Sequence, residues 1–462
     1  MSVLHTKHFT ILLVTLLLSG CATVDTPMVT TPPPLTPPQQ WQAATSAPLT
    51  PVLETGWQQQ FNDPTLHTLI KQALQKSYSV EKARLRWQQA QQQRLITSKI
   101  TQPTSTLSAT AARTPTQSSG ISSQSSILNL ELSTQWEADL WQRLSDQQQA
   151  TLQQERASAA DLEAATLSIT AEITRSWFSA IAAQQQYQLS SQQLNRYQQA
   201  ATITEQRYRS GLTSALDLHL TRSEVAMAQA QLATDQQQQQ KQLRALERLT
   251  GHYPAATLSL SSTLPSIPET IPAGLPATLL ERRPDLQASH ARLKAAGLAQ
   301  QIAQKNRLPS LSLTATAGTS SSELHQLLDW NYLVWNLLGS LTQPLFQQEQ
   351  LAAEATIKTL AQQQAAIDYA EAIHQALLEV ENGLSADHHL LQRQHALATA
   401  ANEAEQAATL SLERYQQGLT DILTLLNAQQ RTFDSQQAQL QASLAYLNNR
   451  VTLLLALGGP YE

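Results

Sequence analysis

The 462-residue chain carries 30 Lys and Arg against 35 Asp and Glu, a net charge of −5. Only 14% of it is charged, where globular chains average about 25%. This leaves no basic surface for nucleic acid, so no nucleic-acid partner is expected. A single Cys excludes a disulfide framework and a Cys-based zinc site. With 13 Gly and a bulk rich in Gln and Ala, the composition favours long helices over a Gly-rich α/β enzyme.

Residues 1–20 read as an export signal. Lys7 precedes an apolar run from Phe9 to Leu18 that is shorter than the roughly 20 residues needed to cross a bilayer. The run ends in Leu18-Ser19-Gly20-Cys21, which resembles the bacterial lipoprotein signal, in which small residues precede a Cys that becomes lipidated. Ala22, rather than an Asp, follows it, as in lipoproteins sorted to the outer membrane. The resemblance implies a covalent lipid on Cys21, with more than one acyl chain and therefore stable anchoring. No other cofactor and no metal is expected. Residues 21–60, rich in Pro, Thr and Gln, read as a lipid-anchored tether.

The rest of the chain is one unit used twice: a first repeat over 61–262, a Pro-rich linker over 263–276, and a second repeat over 277–462. Pro103 opens the alternating run TSTLSATAA, and Pro309, 206 positions on, opens SLSLTATAG. Arg207-Tyr208-Arg209-Ser210-Gly211-Leu212-Thr213 matches Arg414-Tyr415-Gln416-Gln417-Gly418-Leu419-Thr420, 207 positions on. Gly251 and Gly458 repeat the same offset. Each half reads as helix, strand, strand, long helix, helix.

From Asp146 to Ser210 there is neither Gly nor Pro, and a helix of about 60 residues extends roughly 90 Å. Its surface, crowded with Gln147, Gln148, Gln149, Gln153 and Gln154, is too polar for lipid. Leu162, Ala165, Ile169, Ile173 and Trp177 nevertheless recur at three- and four-residue steps, which predicts coiled-coil packing. Gly211 and Gly418 mark the tips at which each long helix reverses into its partner.

The strand segments alternate with period two. Leu128, Leu130 and Leu132 interleave with Asn129, Glu131 and Ser133, while Leu311, Leu313, Ala315 and Ala317 interleave with Ser312, Thr314 and Thr316. Trp330, Tyr332 and Trp335 cluster near a strand end, as aromatic girdles do. A soluble sheet with one buried face and a membrane barrel both fit this alternation, and the lipid anchor favours the barrel. Four strands fall short of the roughly eight that close one, so the barrel is expected to be shared between subunits.

Little points to catalysis, and the chain is read as not an enzyme. Asp387-His388-His389 are consecutive and do not share one helix face, so a solvated patch is expected rather than a metal site. Arg282, Arg283 and Asp285 flank Pro284 as a helix start does. Neither G-x-S-x-G, H-E-x-x-H nor a Gly-rich phosphate loop occurs.

Taken together, the sequence resembles the TolC-like outer-membrane efflux proteins, in the lipoprotein branch that serves tripartite pumps. Trp136-Glu137-Ala138-Asp139-Leu140-Trp141-Gln142-Arg143-Leu144 is similar to the family's W-E-x-D-L-W-G-R-L signature, with Gln142 where Gly is usual. Leu280-Glu281-Arg282-Arg283-Pro284-Asp285-Leu286 matches its L-x-R-R-P-D-[LI] signature. Leu341-Thr342-Gln343-Pro344-Leu345-Phe346 and both R-Y-x-x-G-L tips also fit.

The resemblance implies a mainly α fold with a small β part. As a homotrimer, each chain would give four strands to a twelve-stranded outer-membrane β-barrel and its helices to a periplasmic coiled-coil tunnel. An inner-membrane pump and a periplasmic adaptor would dock at the far end, and the duct would passively conduct drugs or other small molecules out of the cell. The exit duct of a type I protein secretion system shares this architecture. A non-conducting, lipid-anchored scaffold explains the helices and Cys21 but not the paired strands.

By the same resemblance, Ser210, Gly211, Leu212, Thr213, Gln417, Gly418, Leu419 and Thr420 are expected to meet the adaptor. Distance from the tip glycines carries the channel constriction onto Asp217, Tyr415, Thr420, Asp421, Thr424 and Asn427. Relatives often carry acids where Thr424 and Asn427 stand and an Arg where Thr420 stands. Closure here is therefore expected to rest more on Tyr415 and hydrogen bonds. Asp217 and Asp421 fit either a ring of pore carboxylates or simple first-turn carboxylates.

Overall fold

Helix-forming composition dominates what is built. A computed structural model describes residues 38, 40–43, 61, 63–118, 121–266, 276 and 279–459. Cys21, the export signal and most of the tether and linker lie outside the described residues. In chain order the first half runs α1 (Pro64–Lys76), α2 (Tyr78–Ser98), β1 (Thr104–Ser118), β2 (Ile121–Ala138), α3 (Arg143–Arg209) and α4 (Ala215–Leu249). The second half runs α5 (Leu279–Arg282), α6 (Pro284–Lys305), β3 (Ser310–Ser321), β4 (Leu333–Thr342), α7 (Gln348–Gln416) and α8 (Ile422–Ala456).

The long helices α3 and α7 have 67 and 69 residues, about 100 Å each at 1.5 Å per residue. No helix among the described residues is long and apolar enough to cross a membrane. The helices bury few residues per turn along most of their length, and on α7 these are mainly Ala. They become strongly apolar in one belt where α1 and α5 add extra layers. There Leu66, Leu69 and Ile70 meet Ile173, Trp177, Phe178, Leu286, Val380 and Val451. Asp63 caps α1 by accepting from the Thr65 and Leu66 amides, and its other oxygen accepts from Trp177 Nε1 at 2.8 Å.

Two buried arginines tie the ends of this belt. Arg283, 8% exposed, donates to both Asp285 oxygens (3.0 and 2.7 Å), to Glu379 (2.7 Å) and to the Ala456 carbonyl (3.2 Å). Pro284 occupies the first turn of α6, as its sequence predicts. The same motif thus also locks α6, α7 and α8 together. Arg450 pairs with Asp387, with Nε 2.5 Å from Oδ1 and Nη2 2.8 Å from Oδ2. Asp387 therefore serves the helix packing, while His388 contacts Gln392.

The four strands form one antiparallel meander, β1-β2-β3-β4. Its register places Leu107, Ala109 and Ala111 of β1 opposite Leu132, Leu130 and Leu128 of β2. These in turn face Ala317, Thr319 and Ser321 of β3, while Leu311, Leu313, Ala315 and Ala317 face Leu341, Gly339, Leu337 and Trp335 of β4. Because side chains alternate along each strand, this register gathers the apolar residues on one face. Ser108, Glu131, Ser133, Ser312, Thr314, Thr316 and Asn336 collect on the other. Among the described residues no helix packs extensively on either face, and Leu107, Leu337, Leu341 and Trp335 stay exposed, the last at 73%. Among the described residues the two outer strands, β1 and β4, each keep one unpaired edge.

Gly318 sits where this sheet is tightest. A Cβ there would lie 2.4 Å from the Leu130 carbonyl oxygen and 2.9 Å from the Glu131 Cα. Trp136 and Trp141, at the strand-to-helix end, donate their indole N–H groups to the Thr101 and Pro309 carbonyls. Trp330 and Tyr332, at the opposite end, stand on a short 3-10 turn ahead of β4.

Candidate functional site

The two tips sit at the ends of the long helices remote from the sheet. Each arises where a helix must reverse within a few residues. Gly211 and Gly418 take φ of +74° and +77°, the left-handed conformation that closes a helix C-terminus and that glycine adopts without strain. In both, the residue after the glycine bonds back into the last turn: Leu212 N to Arg207 O at 2.8 Å, Leu419 N to Arg414 O at 2.9 Å. Leu212 and Leu419 project outward and exposed. Ser210, Thr213, Gln417 and Thr420 flank them, so the eight residues expected to dock form two adjoining turns, exposed except at the half-buried Thr213 and Thr420.

The return helices start on carboxylates. Ser214 caps α4 in a reciprocal box with Asp217: Asp217 N donates to Ser214 Oγ, and Ser214 N donates to Asp217 Oδ2. The Thr213 hydroxyl also donates to Asp217 Oδ2 at 2.5 Å. This bond, with the backbone one, holds the Asp217 carboxyl below the usual aspartate value despite some burial. Asp421 caps α8 and accepts from Thr424 N at 2.7 Å, which holds its carboxyl low as well, against the charge of nearby Asp217. Both acids therefore make the helix-start contacts that their sequence positions allow.

Thr424 and Asn427 continue from Asp421 along the exposed side of α8, while Ile422, Leu425 and Leu426 face inward. Thr420 is half-buried beside them. Tyr415 does not share that exposed stripe. It is 2% exposed, in a cluster with Tyr197, Ala200, Ile422 and Leu425. Its hydroxyl lies 2.9 Å from Thr204 Oγ1. Arg207 Nη1 donates to its carbonyl at 2.7 Å, and the guanidinium lies over its ring, 5.0 Å from the centroid. Tyr415 thus joins α7 to α3 instead of projecting from the tip.

Thr204 and Arg207 are neighbours of Tyr415 that sequence reasoning passed over. The R-Y motif marked the tip, but its spacing does not tell which of the two tyrosines is buried. Two further contacts tie the halves farther up: Tyr197 Oη donates to Gln430 at 2.9 Å, and Arg196 pairs with Glu405 at 2.8 Å. No cluster of three metal-ligating side chains occurs among the described residues.

Comparison with known proteins agrees with this architecture. The model of a family described as "Outer membrane efflux protein" matches residues 69–252 and again 275–459. The chain is 28% identical over 416 residues to the toluene efflux pump outer membrane protein TtgF of Pseudomonas putida, covering 88% of this chain and 86% of that one. It is 31% identical over 330 residues to the outer membrane protein OprJ of Pseudomonas aeruginosa, covering 71% and 69%. The solved outer-membrane channel OprN superposes with a TM-score of 0.87 at 26% identity, covering 94% of this chain and 99% of that one.

Proposed function

The chain belongs to the outer membrane efflux protein family, and from that membership we propose how this outer-membrane exit channel is assembled and worked. Three copies close a twelve-stranded barrel, with the apolar sheet face toward lipid and the face bearing Glu131, Ser133, Thr314 and Thr316 toward the lumen. The uncovered four-stranded meander with two unpaired edges is the observation that carries this reading. An open edge is a template for another strand, and spanning lipid requires that every edge be closed. The 12 residues of β3 extend about 40 Å, which at a tilt of about 40° spans roughly 30 Å, the thickness of a hydrocarbon core.

The helices continue as a periplasmic tunnel. An adaptor meets the tips around Leu212 and Leu419, and an inner-membrane pump supplies the energy. Thr420, Asp421, Thr424 and Asn427 line the mouth with Asp217, and Tyr415 holds the mouth's wall together from behind. A lipid on Cys21 anchors the N-terminus, and the cargo is a small molecule. The test is native mass and planar-bilayer conductance of the purified protein. A three-chain species that conducts, with conductance altered by Asp217→Asn, is expected. A folded monomer, or a trimer that never conducts, refutes the reading. Palmitate labelling that survives Cys21→Ala removes the anchor.

A further inference from the structure

The duplication makes the tip contact testable for a second occurrence. Within one chain, two side chains of the first repeat's helix end hold a tyrosine of the second. Thr204 meets the Tyr415 hydroxyl, Arg207 meets its carbonyl and ring, and the Arg207 guanidinium comes 3.5 Å from where a Cβ on Gly418 would sit. Moving each residue by the repeat offset of 207 gives Ser411 for Thr204, Arg414 for Arg207, Tyr208 for Tyr415 and Gly211 for Gly418. The chemistry is retained at every position: hydroxyl, guanidinium, phenol, glycine.

The second set is not assembled within the chain. Tyr208 is 43% exposed and Arg414 is exposed. Nothing lies within 4 Å of a Cβ built on Gly211, the place that Arg207 fills at Gly418. The Tyr208 carbonyl accepts from the Gly211 amide, as that of Tyr415 does from Gly418, and lacks the added guanidinium. The long contact above the tip follows the same rule. Helix α3 packs on α6 and α8 of the other repeat, but α7 makes no comparable contact with α2 or α4 of its own chain. Accordingly Leu85, Leu95 and Ile96 on α2, and Ile357, Leu360 and Ile367 on α7, are left exposed.

A contact present once inside a duplicated chain, with its counterpart's two halves left apart, fits a head-to-tail interface, which makes a ring where the rotation between copies closes. We propose that Ser411 and Arg414 of one copy hold Tyr208 of the next as Thr204 and Arg207 hold Tyr415 within a chain. The mouth of the tunnel is then fastened by six alternating clasps, three inside chains and three between them. The match is local to the tip. The Tyr197–Gln430 bond has Ala404 and Ser223 at the shifted positions, which do not rebuild it. This inference rests on the ring assembly proposed above and adds to it the residues that join neighbouring copies at the mouth.

Photo-crosslinking of the full chain in its own membranes tests it. Tyr208 is replaced by p-benzoylphenylalanine, and in a second variant Tyr415 is replaced. Irradiation at position 208 is expected to yield two- and three-chain species on denaturing gels, with the adduct mapping to residues 411–415 of a second chain. Position 415 is expected to yield only an internal adduct near Thr204 and Arg207, without a mass increase. Arg414→Ala combined with the position-208 probe should lose the interchain adduct, whereas Gln417→Ala should keep it. An amine-reactive crosslinker applied in parallel reports assembly independently. Three-chain species with that reagent, but an adduct from position 208 that is internal, absent or outside 411–415, overturns the clasp and leaves the ring standing. No three-chain species with either reagent overturns the ring itself.

Discussion

Gln142 offers a clean measurement of what one backbone conformation costs. It sits before α3 at φ 58°, ψ 30°, in the left-handed region, and its side chain makes no capping bond. A side chain in that region costs about 1–2 kcal/mol. Glycine avoids that cost but loses about 0.5–1 kcal/mol more in backbone entropy on folding. Gln142→Gly should therefore stabilise the start of α3 by a net of about 0.5–1 kcal/mol. The bonds that close this turn are kept, because Asp139 accepts from Leu144 N and Ser145 N at 2.9 Å each and Asp146 N donates to the Gln142 carbonyl at 3.0 Å. Amide exchange at Leu144, Ser145 and Asp146 reports local opening, and should slow by about two- to fivefold. Gln142→Ala keeps a Cβ and should leave those rates nearly unchanged. Unchanged or faster exchange in Gln142→Gly, or equal slowing in Gln142→Ala, would refute the strain argument.

Other perturbations probe the remaining supports. Gly318→Ala drives a Cβ into the Leu130 carbonyl and should reduce the yield of heat-resistant assembled protein in membranes while helix content by circular dichroism is retained; wild-type assembly would show that the strands can part there. Arg283→Ala leaves the Ala456 carbonyl and two carboxylates without their shared cation. It should destabilise by about 2 kcal/mol in a denaturant titration, less than the roughly 3–5 kcal/mol for a fully buried pair because Asp285 and Glu379 reach solvent. Acid should loosen the tips only late. Asp217 and Asp421 are held below 3.8, so their caps are complete above that value and are lost as pH falls through the lower folded values. Exchange protection of the Asp217 and Thr424 amides should be constant from neutral pH to about 4, and loss of protection between pH 7 and 5 would contradict the assignment.

Much of this architecture was legible because it is periodic. The alternation of Leu128–Leu132 and Leu311–Ala317 sets strand faces without any tertiary information. The long runs free of Gly and Pro set α3 and α7, and the tip glycines set their ends. The repeat offset was equally plain in the paired R-Y dipeptides and the tip glycines. What local sequence does not encode is which member of a repeated pair is covered. Arg207-Tyr208 and Arg414-Tyr415 are the same dipeptide on the same kind of helix end, yet one tyrosine is exposed and the other buried. That difference comes from the neighbouring hairpin. Arg283 was hidden for a related reason: Pro284 and Asp285 explain a helix start by themselves, so nothing nearby in sequence announces Glu379 or the Ala456 carbonyl. Tyr415 was carried to the mouth by counting from Gly418, which fixes position along the axis but not direction around it.

The open sheet has a genetic consequence. A strand edge on one chain has no use until another chain's edge meets it, so each copy's defect becomes its neighbours' defect. A cell making equal amounts of normal chain and a chain with a spoiled β1 or β4 edge would, in a three-membered ring, form only about one in eight rings from sound chains alone. Edge alleles should therefore behave as dominant, whereas alleles that unfold a chain before it reaches the membrane should be recessive, because a chain that never arrives spoils no ring.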